Sequence, residues 1–170
     1  PLAGAHQAEN ARTAAAALWL FGIPTEAIAI GIEAAKWPGR LERVANNPDI
    51  ILDGAHNPAG ARALAAYIRD FFPAEPVRLV FGAMRDKALD EVIGILFPLA
   101  AEVVLTAPDQ PRAVSTDALS EIVDHPNVKL TGSVADALAY VQANPMTTFI
   151  TGSLFLVGEA LALLSPAIEK

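Results

Sequence analysis

The 170-residue chain contains no cysteine. That excludes a disulfide framework and a thiolate-held metal, and it fits a cytoplasmic protein. Positive charge is scarce: 12 Lys and Arg stand against 19 Asp and Glu, for a net charge of −7. A nucleic-acid partner calls for a basic face to meet its phosphates, so no such partner is expected. Aromatic residues make up 6% of the chain and apolar residues 53%, so the core must be mainly Ala, Leu, Ile and Val. Long uninterrupted apolar runs are also missing. The most apolar late stretch, "TTFITGSLFLVGEALALL", is broken by Gly152, Ser153 and Glu159. It reads as a buried strand followed by a helix, and no membrane span is expected. The chain opens without a basic n-region, so no signal peptide is recognised. It also opens without methionine, directly on a helical pattern, and we expect a fragment of something longer.

Several catalytic signatures are absent. No G-x-x-x-x-G-K-[ST] segment is present to cradle a triphosphate, and no G-x-G-x-x-G follows a strand. His6, His56 and His125 lack zinc-type spacing, so no metal site is expected. Ser115, Ser120, Ser133 and Ser153 lack a nucleophile-elbow context. Asp90 and Glu91 are adjacent in a helical segment and read as a solvated face.

What is present is a regular alternation. Residues 5–21 and 24–36 read as two Ala-rich helices separated by Gly22 and reopened by Pro24. "KWPGR" then breaks the pattern and marks a domain boundary, giving units 1–36 and 37–170. "RLERVA" and "DIILD" are strand-like runs joined by "NNP", and are expected to pair as an antiparallel hairpin. From residue 50 onward, apolar β-type runs recur at Ile50–Leu52, Val77–Phe81, Val103–Leu105, Val128–Leu130 and Phe149–Ile150. Helical segments such as "AGARALAAYIRDF" and "LDEVIGILFPLA" lie between them. Strands alternating with helices imply an α/β, Rossmann-like sheet of about five parallel strands plus one antiparallel, with helices on both faces.

In such a sheet, ligands bind beyond the carboxyl ends of the strands. Small and polar residues collect there: Asp53-Gly54, Gly82, Thr106 and Thr151-Gly152-Ser153. The stretch "IILDGAHNP" is the most informative. Ile50 to Leu52 form a buried strand, Asn57 is an N-cap, and Pro58 takes the first helical position. Asp53 and His56 fall in the tight turn between, with Asp53 expected on the solvent-facing edge. A lone aspartate there commonly serves the turn itself, and a lone histidine commonly packs or faces water. Both together, beside N–H groups at a helix start, point to a bound ligand.

Six segments, "HQAENARTAAAAL", "WPGRLERV", "ILDGAHNPAGARAL", "VFGAMRDK", "QPRAVSTDAL" and "TGSLFLVGEA", occur in this order. From about Ala5 to Leu161 they resemble the C-terminal part of the folylpolyglutamate synthase/dihydrofolate synthase family, within the Mur ligase superfamily. The resemblance implies an ATP-dependent ligase joining L-glutamate to a folate or dihydropteroate carboxylate through an acyl phosphate. It implies that the P-loop and Mg²⁺ ligands lie in an N-terminal and central domain of the same parent chain. Residues 1–36 would be the helical tail of that central ATPase domain, residues 37–170 the C-terminal domain. No catalytic residue is expected in this part, which would position ATP, close over substrate and be inactive alone.

Carried over residue by residue, the resemblance assigns Asp53 to the ribose hydroxyls and His56 to the ribose and adenine. Arg40 is assigned to the phosphates and Asn10 to the neighbourhood of the base; His6 and Asn10, four apart, share a helix face. Lys87 and Ser153 are expected toward the folate and glutamate side. One departure is "RDKAL", where Ala88 replaces an acid that the family usually carries. The alternative reading is a free-standing α/β module that binds a nucleotide or a protein without catalysis.

Overall fold

The computed structural model describes residues 3–85 and 88–168, with side chains as far as Leu164. It opens on α1 (Ala5–Leu20) and α2 (Thr25–Ala34). Gly22, at φ 81°, turns the chain between them. α1 ends one residue earlier than the pattern suggested, closed by Phe21 ahead of the left-handed Gly22, and α2 two residues earlier, where Ala35 turns extended ahead of Trp37-Pro38. α1 has no buried residue and α2 only Ile28.

Six strands follow: β1 (Glu42–Ala45), β2 (Ile50–Leu52), β3 (Val77–Phe81), β4 (Glu102–Leu105), β5 (Val128–Leu130) and β6 (Thr147–Thr151). They form one sheet in the order β1-β2-β6-β3-β4-β5. β1 and β2 are antiparallel, as the "NNP" turn implied, and every other neighbouring pair is parallel. β1 starts two residues later than "RLERVA" does, since Leu41 has φ 46° and cannot continue a strand.

The chain leaves β2, lays β3 two places away, steps outward to β4 and β5, then returns to place β6 in the gap. Right-handed crossovers put outward-going and returning helices on opposite faces. α3 (Pro58–Phe71), α4 (Leu89–Leu96) and α5 (Thr116–Ile122) cover one face. α6 (Val134–Ala143) and α7 (Leu154–Ile168) cover the other. Strand side chains divide accordingly: Ile51, Leu79, Val103 and Phe149 join the first core, and Leu52, Val80, Val104 and Ile150 the second. Period-two alternation between two covered faces is why these strands read as continuous apolar runs.

α3 shows how local sequence fixes the site's scaffold. The Asn57 side chain accepts from the Gly60 N–H at 2.9 Å, and Pro58 occupies the first turn. Ala61, Leu64, Ala65 and Ile68 then bury one stripe against the sheet. Truncating Leu64 to alanine would cost about 2–5 kcal/mol, a large share of a small domain's margin of roughly 5–15 kcal/mol.

A charged cluster is buried at one end of the sheet. Arg78 on β3 pairs through Nε with Glu102 on β4, and its Nη1 donates to the Asn144 carbonyl at 2.7 Å. The Tyr140 hydroxyl donates to Glu102 at 2.6 Å, and the Arg78 guanidinium lies 5.3 Å from the Tyr140 ring centroid. This network sits at the amino edge of the sheet and ties β3, β4 and α6 together.

Candidate functional site

The carboxyl ends of β2 and β6 adjoin, yet the following helices diverge. α3 leaves toward one face and α7 toward the other, which defines a topological switch point and opens a crevice. Gly54 begins the turn there. A Cβ on it would come within 2.2 Å of Leu154 Cδ2 and 2.7 Å of Arg40 Nη1, so only glycine lets both side chains close over the turn.

Asp53 does not lie on a solvent-facing edge: it is 6% exposed. The sequence reading placed it in water because it follows the last apolar residue of β2. Leu41, returning across the turn, covers it. The Asp53 Oδ2 accepts from the Leu41 N–H and Oδ1 from the Ala55 N–H, each at 3.0 Å. Burial pushes this carboxyl above the ordinary aspartate range, against the pull of those two amides and of Arg40 and His6.

His56 is exposed, with Nδ1 2.8 Å from the Gly54 carbonyl. A carbonyl only accepts, so Nδ1 carries a proton and donates it to this bond. Arg40 is half-buried, with Nη1 3.5 Å from the Gly39 carbonyl. From α1, His6 and Asn10 face the same place, Asn10 donating to Gln7 at 3.2 Å.

Asn10, Arg40, Asp53 and His56 together line one cavity of about 170 Å³, with His6 and Asn57 beside them. The fold therefore gathers these four from α1, the boundary segment and the turn after β2. The cavity is smaller than the roughly 300–1,000 Å³ of a complete small-molecule site, as one wall of a larger site would be. An adjoining apolar cavity of about 180 Å³ is lined by Phe81, Met84, Leu89, Ser153 and Phe155, and shares His56 with the first. Ser153 is 1% exposed, and its Oγ accepts from the Phe155 N–H at 3.1 Å, so it caps the start of α7. Lys87 lies outside the described residues. Among the described residues, no three His, Asp or Glu side chains are grouped to hold a metal ion. Likewise no described helix is long and apolar enough to cross a membrane.

Sequence reasoning missed Leu41, and it placed Gly54 at the strand end without the reason for it. Nothing in the residue pattern marks a leucine that takes a left-handed backbone, or a glycine demanded by side chains rather than by its own dihedrals.

A crevice at the switch point of a parallel sheet, lined by an acid, a histidine and an arginine, places the chain in the α/β class whose ligands bind at such crevices. The chain belongs to the Mur ligase, glutamate ligase domain family, which matches residues 39–154. Within that family it is similar to the probable bifunctional folylpolyglutamate synthase/dihydropteroate synthase of Haloferax volcanii, 39% identical over 99% of this chain and 21% of the relative. The dihydrofolate synthase/folylpolyglutamate synthase of Bacillus subtilis is 32% identical over 93% of this chain and 39% of its own length. Among solved structures, Mycobacterium tuberculosis folylpolyglutamate synthase complexed with ADP and AMPPCP superposes with a TM-score of 0.87. It is 34% identical, over 96% of this chain and 41% of that one. The chain thus spans about a fifth to two fifths of the length of these relatives.

Proposed function

We propose that this chain is the nucleotide-positioning, C-terminal part of an ATP-dependent ligase that adds L-glutamate to a folate or dihydropteroate carboxylate. The observation that carries this is the cavity gathering Asn10, Arg40, Asp53 and His56, in a chain whose structural relative is complexed with ADP and AMPPCP.

The residues suit the parts of a nucleotide. Asp53 accepts from ribose hydroxyls through the lone pairs its two amide partners leave free. The flat His56 ring lies against the sugar and base, and Asn10 reaches the base from α1. Arg40 offers a planar, permanently charged fork to the phosphates, where negative charge develops as the γ-phosphoryl group moves to the substrate carboxylate. Bound Mg²⁺ would neutralise the phosphate oxygens during that transfer. No described residues here fit it, and its ligands are assigned to the parent's other domains. Ser153 and Lys87 are assigned to the folate and glutamate side.

Residues 1–36 are inferred to be the tail of a preceding ATPase domain. Their sparse burial, with Trp19 at 65%, Leu20 at 78% and Phe21 at 85% exposure, supports a covering surface on that domain. A cytoplasmic location accords with the absence of cysteine.

The test is expression of the whole gene alongside this chain. ADP release that depends on both the pterin substrate and glutamate is expected from the full-length protein and not from the 170-residue chain. This chain should bind ADP with a dissociation constant of about 1 mM, roughly 4 kcal/mol, since most phosphate contacts are missing. Ligation by the isolated chain, or no ligation by the full-length protein, sinks the reading; the latter favours a non-catalytic binding module.

A further inference from the structure

The Asp53 carboxylate joins two different segments. Its Oδ1 partner, Ala55, belongs to the turn after β2, whereas its Oδ2 partner, Leu41, ends the segment that carries Arg40. Leu41 combines φ 46° with a side chain buried at 6% exposure in the core of the α3 face. A leucine holds a left-handed backbone only where its surroundings over-determine it. Here they do. The Gly39 N–H donates to Glu42 Oε2 at 2.8 Å, and the Gly39 carbonyl accepts from the Gly54 N–H at 2.9 Å. With the Asp53 bond, the segment is tied at three points. The Arg40 side chain crosses between them, against the bare face of Gly54.

We propose that Asp53 is a positioning residue whose carboxylate latches residues 39–41 to the turn after β2, holding Leu41 left-handed and thereby aiming Arg40 into the cavity. This rests on the nucleotide reading of the cavity and adds a coupling to it. A ribose hydroxyl reaching Asp53 shares the carboxylate with the Leu41 amide instead of displacing it, because each oxygen has two lone pairs. Nucleotide binding then stiffens the segment that carries the phosphate-facing arginine.

Amide hydrogen exchange resolved by NMR on the 170-residue chain, with and without ADP, tests this. Leu41 and Ala55 amides should both be protected, and ADP should slow both together. Asp53→Ala, which removes both acceptor oxygens, should speed Leu41 exchange about tenfold, the scale of one hydrogen bond to a charged group. Trypsin cleavage after Arg40 should quicken in parallel while Ile150 in β6 stays protected. A Leu41 amide unprotected in the unaltered protein overturns the latch. So does ADP slowing Ala55 alone, or Asp53→Ala leaving both Leu41 exchange and cleavage unchanged. If Asp53→Ala loses the fold, shown by exposure of Ile150, the unaltered protein with and without ADP decides. Protection of Leu41 with no response to ADP anywhere supports the latch and overturns the nucleotide reading instead.

Discussion

Asp53 and Glu102 are both 6% exposed, at opposite edges of one sheet, and their acidities move apart. For Asp53, burial outweighs two backbone amides and the nearby cations, and the carboxyl is raised. For Glu102, burial is overcome by the Tyr140 and Arg78 hydrogen bonds and by the charges of Arg78 and Lys129, and the carboxyl is lowered. The consequences for stability have opposite signs. Glu102 binds its proton less readily when folded, so its stabilisation holds above the ordinary glutamate value of 4.5 and fades as pH falls through its lower folded value. Asp53 holds its proton more readily when folded. Its contribution is fullest below the ordinary value of 3.8 and is lost as pH rises through the raised one. Urea unfolding across the acid range should separate the two. Glu102→Gln should cost about 3–5 kcal/mol near neutral pH, because it leaves the buried Arg78 charge without its partner, and the loss should shrink on acidification. Asp53→Asn should remove a slope of the other sign. Identical pH profiles for the two variants would show that the burial of Asp53 does not govern its charge.

At the level of elements, most of the sheet was legible because each strand is buried on both faces and so reads as an apolar run. Leu79, Val80 and Phe81 are all fully buried, which no exposed strand requires. The start of α3 was legible too, since Asn57 and Pro58 act within their own turn. The burial of Asp53 was not, because its cover comes from Leu41, twelve residues earlier. The expected hairpin does place Leu41 opposite Asp53, one step past the Glu42–Leu52 pair, but no pattern records the left-handed Leu41 backbone that turns its N–H onto the carboxylate. Gly152 illustrates the same limit. Its sequence context says only that a strand ends. The fold adds that φ is 105° and that a Cβ would meet the Phe81 ring at 2.6 Å and the Gly82 carbonyl oxygen at 2.8 Å. The carbonyl belongs to the backbone of the neighbouring strand end and cannot swing aside. Gly152→Ala should therefore destabilise by about 2–4 kcal/mol, combining backbone strain with overpacking. A thermal melt within 2 °C of the parent (roughly half a kcal/mol for a chain of this size) would contradict that.

For the whole molecule, the question is how α1 and α2 relate to the rest. The sheet and its five covering helices form two continuous cores, to which α1 and α2 contribute no cluster member beyond the partly buried Ala3 that precedes them. Yet α1 supplies His6, Gln7 and Asn10 to the cavity. Structure and site therefore draw on different parts of the chain. Deleting residues 1–36 should leave one cooperative unfolding transition, with a loss of no more than about 1–2 kcal/mol for the contacts around Leu41 and Ala3. ADP affinity should fall further than stability does, since one wall of the cavity goes with α1. The deletion should also remove the apolar surface of Trp19, Leu20 and Phe21. If the 170-residue chain associates with itself at high concentration, the shortened chain should sediment as a monomer under the same conditions. Calorimetric melting, ADP titration and sedimentation on the two chains measure the three effects separately. A shortened chain that no longer melts cooperatively would make α1 and α2 integral to this domain and move the boundary upstream of residue 37.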